Sequence, residues 1–140
     1  MNNDHEKFMY LAIELARKGV ESDAGGPFGA VVVKNGEVIA EGWNKVTSAN
    51  DPTAHAEIIA VRAACQKLDS FQLEDCVIYS SCEPCPMCLG AIYWARPKML
   101  IFAGNREDAA EATPHLGGGS VEIPLTRGSA CRDCAPSCPG

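Results

Sequence analysis

Residues 76–103 read CVIYSSCEPCPMCLGAIYWARPKMLIFA and predict a strand, a helix and a second strand in succession. The first strand covers Cys76 to Ser80, and the second covers Lys98 to Ala103. Pro84-Cys85-Pro86 opens the helix, which runs to about Ala95, because proline supplies the fixed φ that suits a first helical turn. This order of elements predicts two strands that lie parallel in one sheet.

The segment before this unit adds two helices and a hairpin. Residues 5–18 carry apolar side chains at helical spacing, with Asp4 as the N-cap and Gly19 as the stop. Asn35-Gly36 is a strong two-residue hairpin turn. The other predicted elements are strands over Phe28–Lys34 and Val38–Trp43 and a helix over residues 54–67. The whole order predicts an α/β fold, a three-layer α/β/α sandwich.

Composition limits the class of protein. A chain of 140 residues, 46% apolar and 21% charged, is typical of one ordinary soluble domain. No apolar run approaches the ~20 residues that span a bilayer, and the start MNNDHEKF lacks the pattern of a signal peptide. We therefore expect a cytoplasmic protein with no membrane partner. The formal charge of −6 and the scattered basic residues disfavour a nucleic-acid partner and favour a small, uncharged substrate.

Two short motifs carry chemistry. His55-Ala56-Glu57 gives H-x-E, and Pro84 to Cys88 gives P-C-x-x-C; together they are the signature of zinc nucleobase deaminases. Eight cysteines in a chain without an export signal favour metal or catalysis over disulfides. His55, Cys85 and Cys88 would supply the three protein ligands of one catalytic zinc, which keeps a fourth position open. The N-terminus of a helix also favours the thiolate forms that zinc requires.

Glu57 is expected to move protons and not to bind the metal. Its carboxylate would take a proton from water, deliver it to a ring nitrogen and help the amino group to leave as ammonia. The alternative to a catalytic site is a structural zinc site, which would need a fourth protein ligand, and Cys82 is the candidate for it. Its place three residues before Cys85 and outside the helix is more typical of a small buried residue.

Three stretches point to a known family: GPFGA at residues 26–30, DPTAHAEI at residues 51–58 and CEPCPMCLGAIYWARP at residues 82–97. They closely resemble bacterial guanine deaminases of the cytidine deaminase-like superfamily, and the resemblance covers roughly residues 5–112. It implies a mixed sheet of about five strands between helices, one zinc per subunit and a homodimer. It also implies hydrolysis of a small purine, guanine, to xanthine and ammonia.

The resemblance implies substrate contacts as well. Asn44 would hydrogen-bond the purine, since its amide offers both a donor and an acceptor. Phe28 would pack against the ring, and Gly29 would let the backbone approach it closely. The alternatives are a loop residue for Asn44 and a core residue for Phe28. Trp94 is expected in the core or in a dimer interface.

The chain divides at residue 112 into a zinc deaminase domain, residues 1–112, and an atypical C-terminal tail, residues 113–140. Thr113-Pro114-His115-Leu116 stands where the resemblance implies an acidic segment with a second proton-handling Asp. His115 would take that role or lie in an exposed loop, and Val121 to Thr126 would form one further strand. Cys131, Cys134 and Cys138 would bind a second metal or be incidental.

Two other functions compete with guanine deamination. A tRNA adenosine deaminase shares Asp51 to Glu57 and much of the cysteine motif, but it needs a basic surface to extract a base from folded RNA. A zinc-binding homologue that has lost activity would keep the metal ligands and release no ammonia. The net charge of −6 and the stretch Gly26 to Ala30 favour the free-base enzyme.

Overall fold

The computed structural model describes residues 3–104 and 121–124 of the chain. Within them the elements follow in the order α1 (Asn3–Glu21), β1 (Gly29–Lys34), β2 (Glu37–Trp43), α2 (Val46–Ala49), α3 (Ala56–Leu68), β3 (Cys76–Cys82), α4 (Pro86–Ala95), β4 (Met99–Gly104) and β5 (Val121–Pro124). No helix in these residues has the length and apolar character needed to cross a membrane.

The strands form one mixed sheet in the order β2-β1-β3-β4-β5. Strand β1 pairs antiparallel with β2 and with β3, and the β1–β2 hairpin turns at Asn35 and Gly36, which both have positive φ. Strands β3 and β4 are parallel, as the strand–helix–strand unit predicts, and β5 closes the order antiparallel to β4. The predicted α/β class with a mixed sheet of about five strands is confirmed.

Helices cover both faces of the sheet. Successive strand residues point to opposite sides, so apolar side chains on each side need a helix to bury them. On the α1 face, Val31, Val33, Tyr79 and Ile101 pack against Phe8, Met9, Ala12 and Leu15. On the α3/α4 face, Ala30, Val32, Ile78, Leu100 and Phe102 pack against Ala56, Ala60, Ala64, Ile92 and Ala95. The predicted three-layer sandwich therefore has α1 as one outer layer and α3 with α4 as the other.

Three local features differ from the sequence prediction. Helix α1 begins at Asn3 and continues through Gly19 to Glu21, so Asp4 as the N-cap and Gly19 as the stop are both wrong. The missing side chain at Gly19 serves packing, since a Cβ there would lie 3.1 Å from Cδ1 of Trp43. The short helix α2 was not predicted, and it lies in what reads as a polar loop. The predicted tail contains strand β5, whereas the division at residue 112 stays a prediction.

Candidate metal centre

The starts of α3 and α4 meet at one edge of the sheet. Helix α3 follows β2 and the short helix α2, helix α4 follows β3, and α3 and α4 pack against each other. His55 is the N-cap residue of α3 and Cys85 is the N-cap residue of α4, both with extended backbone. Pro86 occupies the first turn of α4, as predicted. Each predicted ligand position is therefore fixed by a helix start.

Backbone hydrogen bonds hold the loop before α3. The Lys45 N–H donates to the Ala54 carbonyl at 2.9 Å, which ties the chain after β2 to the residue before His55. Asp51 Oδ1 accepts from the Thr53 N–H at 2.9 Å and from the Thr53 hydroxyl at 2.7 Å. These two hydrogen bonds, the side-chain one first, hold the pKa of Asp51 below its ordinary value. The charged carboxylate thus stabilises the turn that precedes His55.

The three predicted ligands come together. One ligand atom each from His55, Cys85 and Cys88 lies within 4.8 Å of the other two. His55 Nδ1 is 3.6 Å from Cys85 Sγ and 3.3 Å from Cys88 Sγ. The Cys88 N–H also faces Cys85 Sγ at 3.5 Å, where a cap side chain normally accepts. Among the described residues, this is the cluster of metal-ligating side chains that the fold brings together.

The chemistry of the cluster fits zinc. One imidazole and two thiols are a donor set of catalytic zinc, which takes three protein ligands. Burial raises the pKa of Cys88 far above its ordinary value, and the neighbouring Glu57 and Cys85 raise it further. A raised pKa keeps this thiol neutral unless a cation lies beside it, because isolated buried charge is costly. A divalent ion that prefers sulfur and nitrogen is such a cation.

Glu57 lies beside the cluster with its carboxylate buried. The residue is 6% exposed, and burial raises the pKa of its carboxyl above the ordinary value. A hydrogen bond from the Cys88 thiol and the nearby His55 act in the opposite direction. A carboxylate with a raised pKa next to a metal-binding cluster has the proton affinity of a general base. Its placement fits the predicted proton shuttle, a role that stays a prediction.

Ser80 is a site neighbour that the sequence prediction missed. Its side chain is fully buried near the end of β3, and its Oγ lies 3.4 Å from Glu57 Oε1. The same hydroxyl donates to the Cys82 carbonyl at 2.7 Å. Two serines, Ser80 and Ser81, interrupt an otherwise apolar strand just before the cysteine motif. That interruption was the available signal.

The predicted substrate residues lie at the same edge. Asn44 is buried, and its Oδ1 accepts from the Val46 N–H at 3.0 Å. Its own N–H donates to the Phe28 carbonyl at 3.2 Å, and Lys45 next to it pairs with Ala54. Phe28 is half-buried against the α3/α4 face. Substrate contact by Asn44 and Phe28 stays a prediction, with both residues close to the start of α3.

Gly29 has a structural reason to be glycine. A Cβ at this position would lie 2.1 Å from the Ala12 carbonyl oxygen and 2.6 Å from the Ala16 nitrogen, both in α1. Gly29 alternates with Val31 and Val33, which places the missing side chain on the α1 face. Close approach of a substrate to Gly29 stays a prediction, but the contact with α1 already requires glycine.

The remaining candidates fall outside the cluster. Cys82 is half-buried and contributes no atom to the group of ligands, so the alternative of a structural four-ligand site finds no support in the described residues. Trp94 is 51% exposed, which contradicts a place in the core of this chain. His115, Cys131, Cys134 and Cys138 lie outside the described residues.

The fold, the clustered ligands and the buried carboxylate define the class of protein. The chain belongs to the cytidine and deoxycytidylate deaminase zinc-binding family, whose sequence model matches residues 2–104. This membership confirms the predicted class, a zinc-dependent hydrolytic deaminase. His55, Cys85 and Cys88 could hold its zinc.

Particular relatives narrow the class. The chain is 62% identical over 109 residues to guanine deaminase of Bacillus subtilis, covering 78% of this chain and 70% of the relative. The crystal structure of a Bacillus subtilis guanine deaminase superposes with a TM-score of 0.76 at 62% identity, over 77% of this chain and 69% of that one. A guanine deaminase from Nitrosomonas europaea gives a TM-score of 0.71 at 36% identity, over 74% of this chain and 60% of that one.

Adenosine deaminases that act on tRNA are also related. The enzyme of Aquifex aeolicus is 40% identical over 98 residues, which are 70% of this chain and 64% of the relative. The chain thus spans between 60% and 70% of the lengths of these three relatives. Identity to the guanine deaminase of Bacillus subtilis is markedly higher than identity to this tRNA enzyme.

Proposed function

We propose that this chain hydrolyses guanine to xanthine and ammonia. The observation that carries the proposal is the buried Glu57 carboxylate next to the clustered His55, Cys85 and Cys88. The choice of guanine is supported by 62% identity to a guanine deaminase, against 40% to a tRNA adenosine deaminase. A net charge of −6 also favours a small, uncharged base over a polyanion.

His55, Cys85 and Cys88 would hold the zinc. When bound, the ion supplies the Lewis acidity that makes water a nucleophile near neutral pH. Glu57 takes a proton from the attacking water on one carboxylate oxygen and delivers it to a ring nitrogen of guanine. Glu57 then passes the second proton of that water, which remains on the newly added hydroxyl, to the amino group; the bond between carbon and the amino nitrogen breaks, ammonia leaves, and the oxygen stays on the ring as the new carbonyl of xanthine. The raised pKa of Glu57 helps it to hold the proton between these transfers.

Asn44 and Phe28 would orient the base. The Val46 N–H engages Oδ1 of Asn44, which fixes the amide and leaves Nδ2 as the donor end for an acceptor on the purine edge. Phe28 is half-buried and linked to Asn44 through its carbonyl, so its ring can pack against the purine from the position just before β1. Gly29 would add a close backbone approach. These contacts would place the reacting carbon near Glu57.

The working form is proposed to be a cytoplasmic homodimer with one zinc per subunit, on the strength of the resemblance to bacterial guanine deaminases. Sedimentation equilibrium of the full chain would measure its mass in solution. A mass of twice the 14.9 kDa of one chain is expected. A mass of one chain across micromolar concentrations would contradict the homodimer.

Ammonia release tests the proposed substrate directly. The purified, zinc-loaded chain would be incubated separately with guanine, cytosine and an adenosine-containing tRNA hairpin. We expect ammonia from guanine alone and no retention of the hairpin on a filter at low salt. Ammonia from the hairpin would instead identify a tRNA adenosine deaminase. Full zinc content with no turnover of any substrate would indicate a homologue that has lost activity.

A further inference from the structure

The loop between α1 and β1 packs tightly against Asn44 and Phe28, the two side chains proposed to orient the base. A Cβ at Gly25 would lie 2.3 Å from Oδ1 of Asn44 and 2.5 Å from its carbonyl oxygen. A Cβ at Gly26 would lie 3.0 Å from Cε2 of the Phe28 ring and 3.2 Å from Cδ2. Contacts below 3.0 Å are not tolerated, so a side chain at Gly25 would force Asn44 or the loop to move.

Backbone conformation does not explain the glycine at position 25. Among residues 3–104, the glycine with positive φ is Gly36, in the hairpin turn. Gly25 therefore occupies a backbone region open to any residue, and contact with Asn44 is what excludes a side chain there. A glycine required by contact with one specific residue indicates a fixed position for that residue.

The loop is anchored on both sides of Asn44. The Ala24 carbonyl accepts from the Ser48 N–H at 3.2 Å and from the Thr47 hydroxyl at 3.2 Å, which binds the loop to α2. The Ala24 N–H donates to the Gly19 carbonyl at 2.9 Å, which binds it to α1. An added side chain at Gly25 would therefore either displace Asn44, whose amide oxygen and carbonyl it would meet, or break these hydrogen bonds of the loop.

We propose that Gly25 is a positioning residue for Asn44 and that Gly26 is a weaker one for Phe28. This inference rests on the proposed function, because it concerns how guanine is held. Glycine at 25 lets the loop close against the Asn44 amide from one side while the Val46 N–H holds Oδ1 from the other. The orientation of the donor Nδ2 is then set by two contacts. At Gly26 the neighbour is a ring that can yield, so the effect there is smaller.

The test is a cycle of Gly25→Ala and Asn44→Ala, assayed with guanine after checks of zinc content and melting temperature. Gly25→Ala should keep its zinc and lower kcat/KM about 100-fold, chiefly through KM, since misplacement by about 1 Å can cost that much. In the Asn44→Ala background the same change should lower kcat/KM by about twofold or less, because residues that act through one contact are not additive. Gly26→Ala should have a smaller effect than Gly25→Ala.

Gly90→Ala is the matched control, because a Cβ there would meet nothing within 4 Å in this chain. It should leave KM unchanged. The inference is overturned if Gly25→Ala matches the parent chain, if its effect multiplies in full with that of Asn44→Ala, or if it loses zinc or folding. If the parent chain releases no ammonia from guanine, the proposed function fails first and this inference falls with it. If the parent chain and Gly25→Ala both turn over guanine with the same KM, the positioning role is wrong and the proposed function still stands.

Discussion

The α1 face and the α3/α4 face of the sheet are built from alternate residues of the same strands. On the α1 face, Tyr79 packs against Phe8, and its hydroxyl oxygen forms a hydrogen bond with Nδ1 of His5 at 2.6 Å. On the α3/α4 face, the next residue along, Ser80, lies against Glu57. Helix α1 covers one face, and α3 with α4 covers the other. The candidate metal centre lies on the α3/α4 face, where both helices begin beside the ends of strands.

This difference separates what stabilises the fold from what performs the chemistry. The α1 face buries apolar side chains and takes its free energy from removing them from water. The α3/α4 face buries apolar side chains along its length, and at the strand ends it also buries a carboxylate and a thiol. Those buried polar groups cost stability until a cation compensates them. We therefore expect substitutions on the two faces to separate stability from metal content.

The largest effect is expected for Cys85→Ala. Loss of a direct ligand should weaken zinc binding by at least about 100-fold, because loss of a supporting outer-shell partner alone costs about 10- to 100-fold. Stability should fall with it, since metal binding and folding are coupled. Zinc content by atomic emission and a urea titration of the same samples measure both quantities.

Cys65→Ala is the control for that substitution. Cys65 is a half-buried thiol in α3 and is not a member of the ligand cluster. It should bind zinc like the parent chain. Equal zinc content in Cys85→Ala and Cys65→Ala would remove Cys85 from the metal centre.

Leu15→Ala is expected to act on stability alone. Leu15 is 2% exposed on the α1 face, and truncation of such a side chain costs about 2–5 kcal/mol in the free energy of unfolding. Zinc content and KM for guanine should not change below the unfolding transition. Tyr10→Ala on the same helix, at a position 69% exposed, should change the free energy of unfolding by about 0.5 kcal/mol or less. A loss of zinc in folded Leu15→Ala would show that the two faces are not separable.

Local signals in the sequence were enough for most elements and for the ligand cluster. Proline at the start of α4 and the Cys-x-x-Cys spacing depend on one helical turn, which the sequence determines directly. The convergence of His55 with that turn depends on the sheet: β2 and β3 are separated by β1 but both run antiparallel to it, so they end at the same edge, where α3 and α4 begin.

Features that depend on distant contacts could not be predicted. Gly19 has the local character of a helix stop, but α1 continues through it, and Trp43 packs where its side chain would lie. The resemblance predicts a substrate contact at Gly29, whereas the contact with Ala12 that already requires glycine there belongs to another element. Ser80 lies against a carboxylate 23 residues away in sequence. In each case the partner is known only once the chain is folded.

Glu57→Gln with guanine as substrate tests whether Glu57 moves the protons of the reaction, because the substitution removes the proton acceptor and keeps the shape of the side chain. We expect zinc content equal to that of the parent chain and a fall in kcat of about 100- to 10,000-fold, the range typical of a lost general base. Ammonia release at the parent rate by zinc-loaded Glu57→Gln would contradict that role of Glu57.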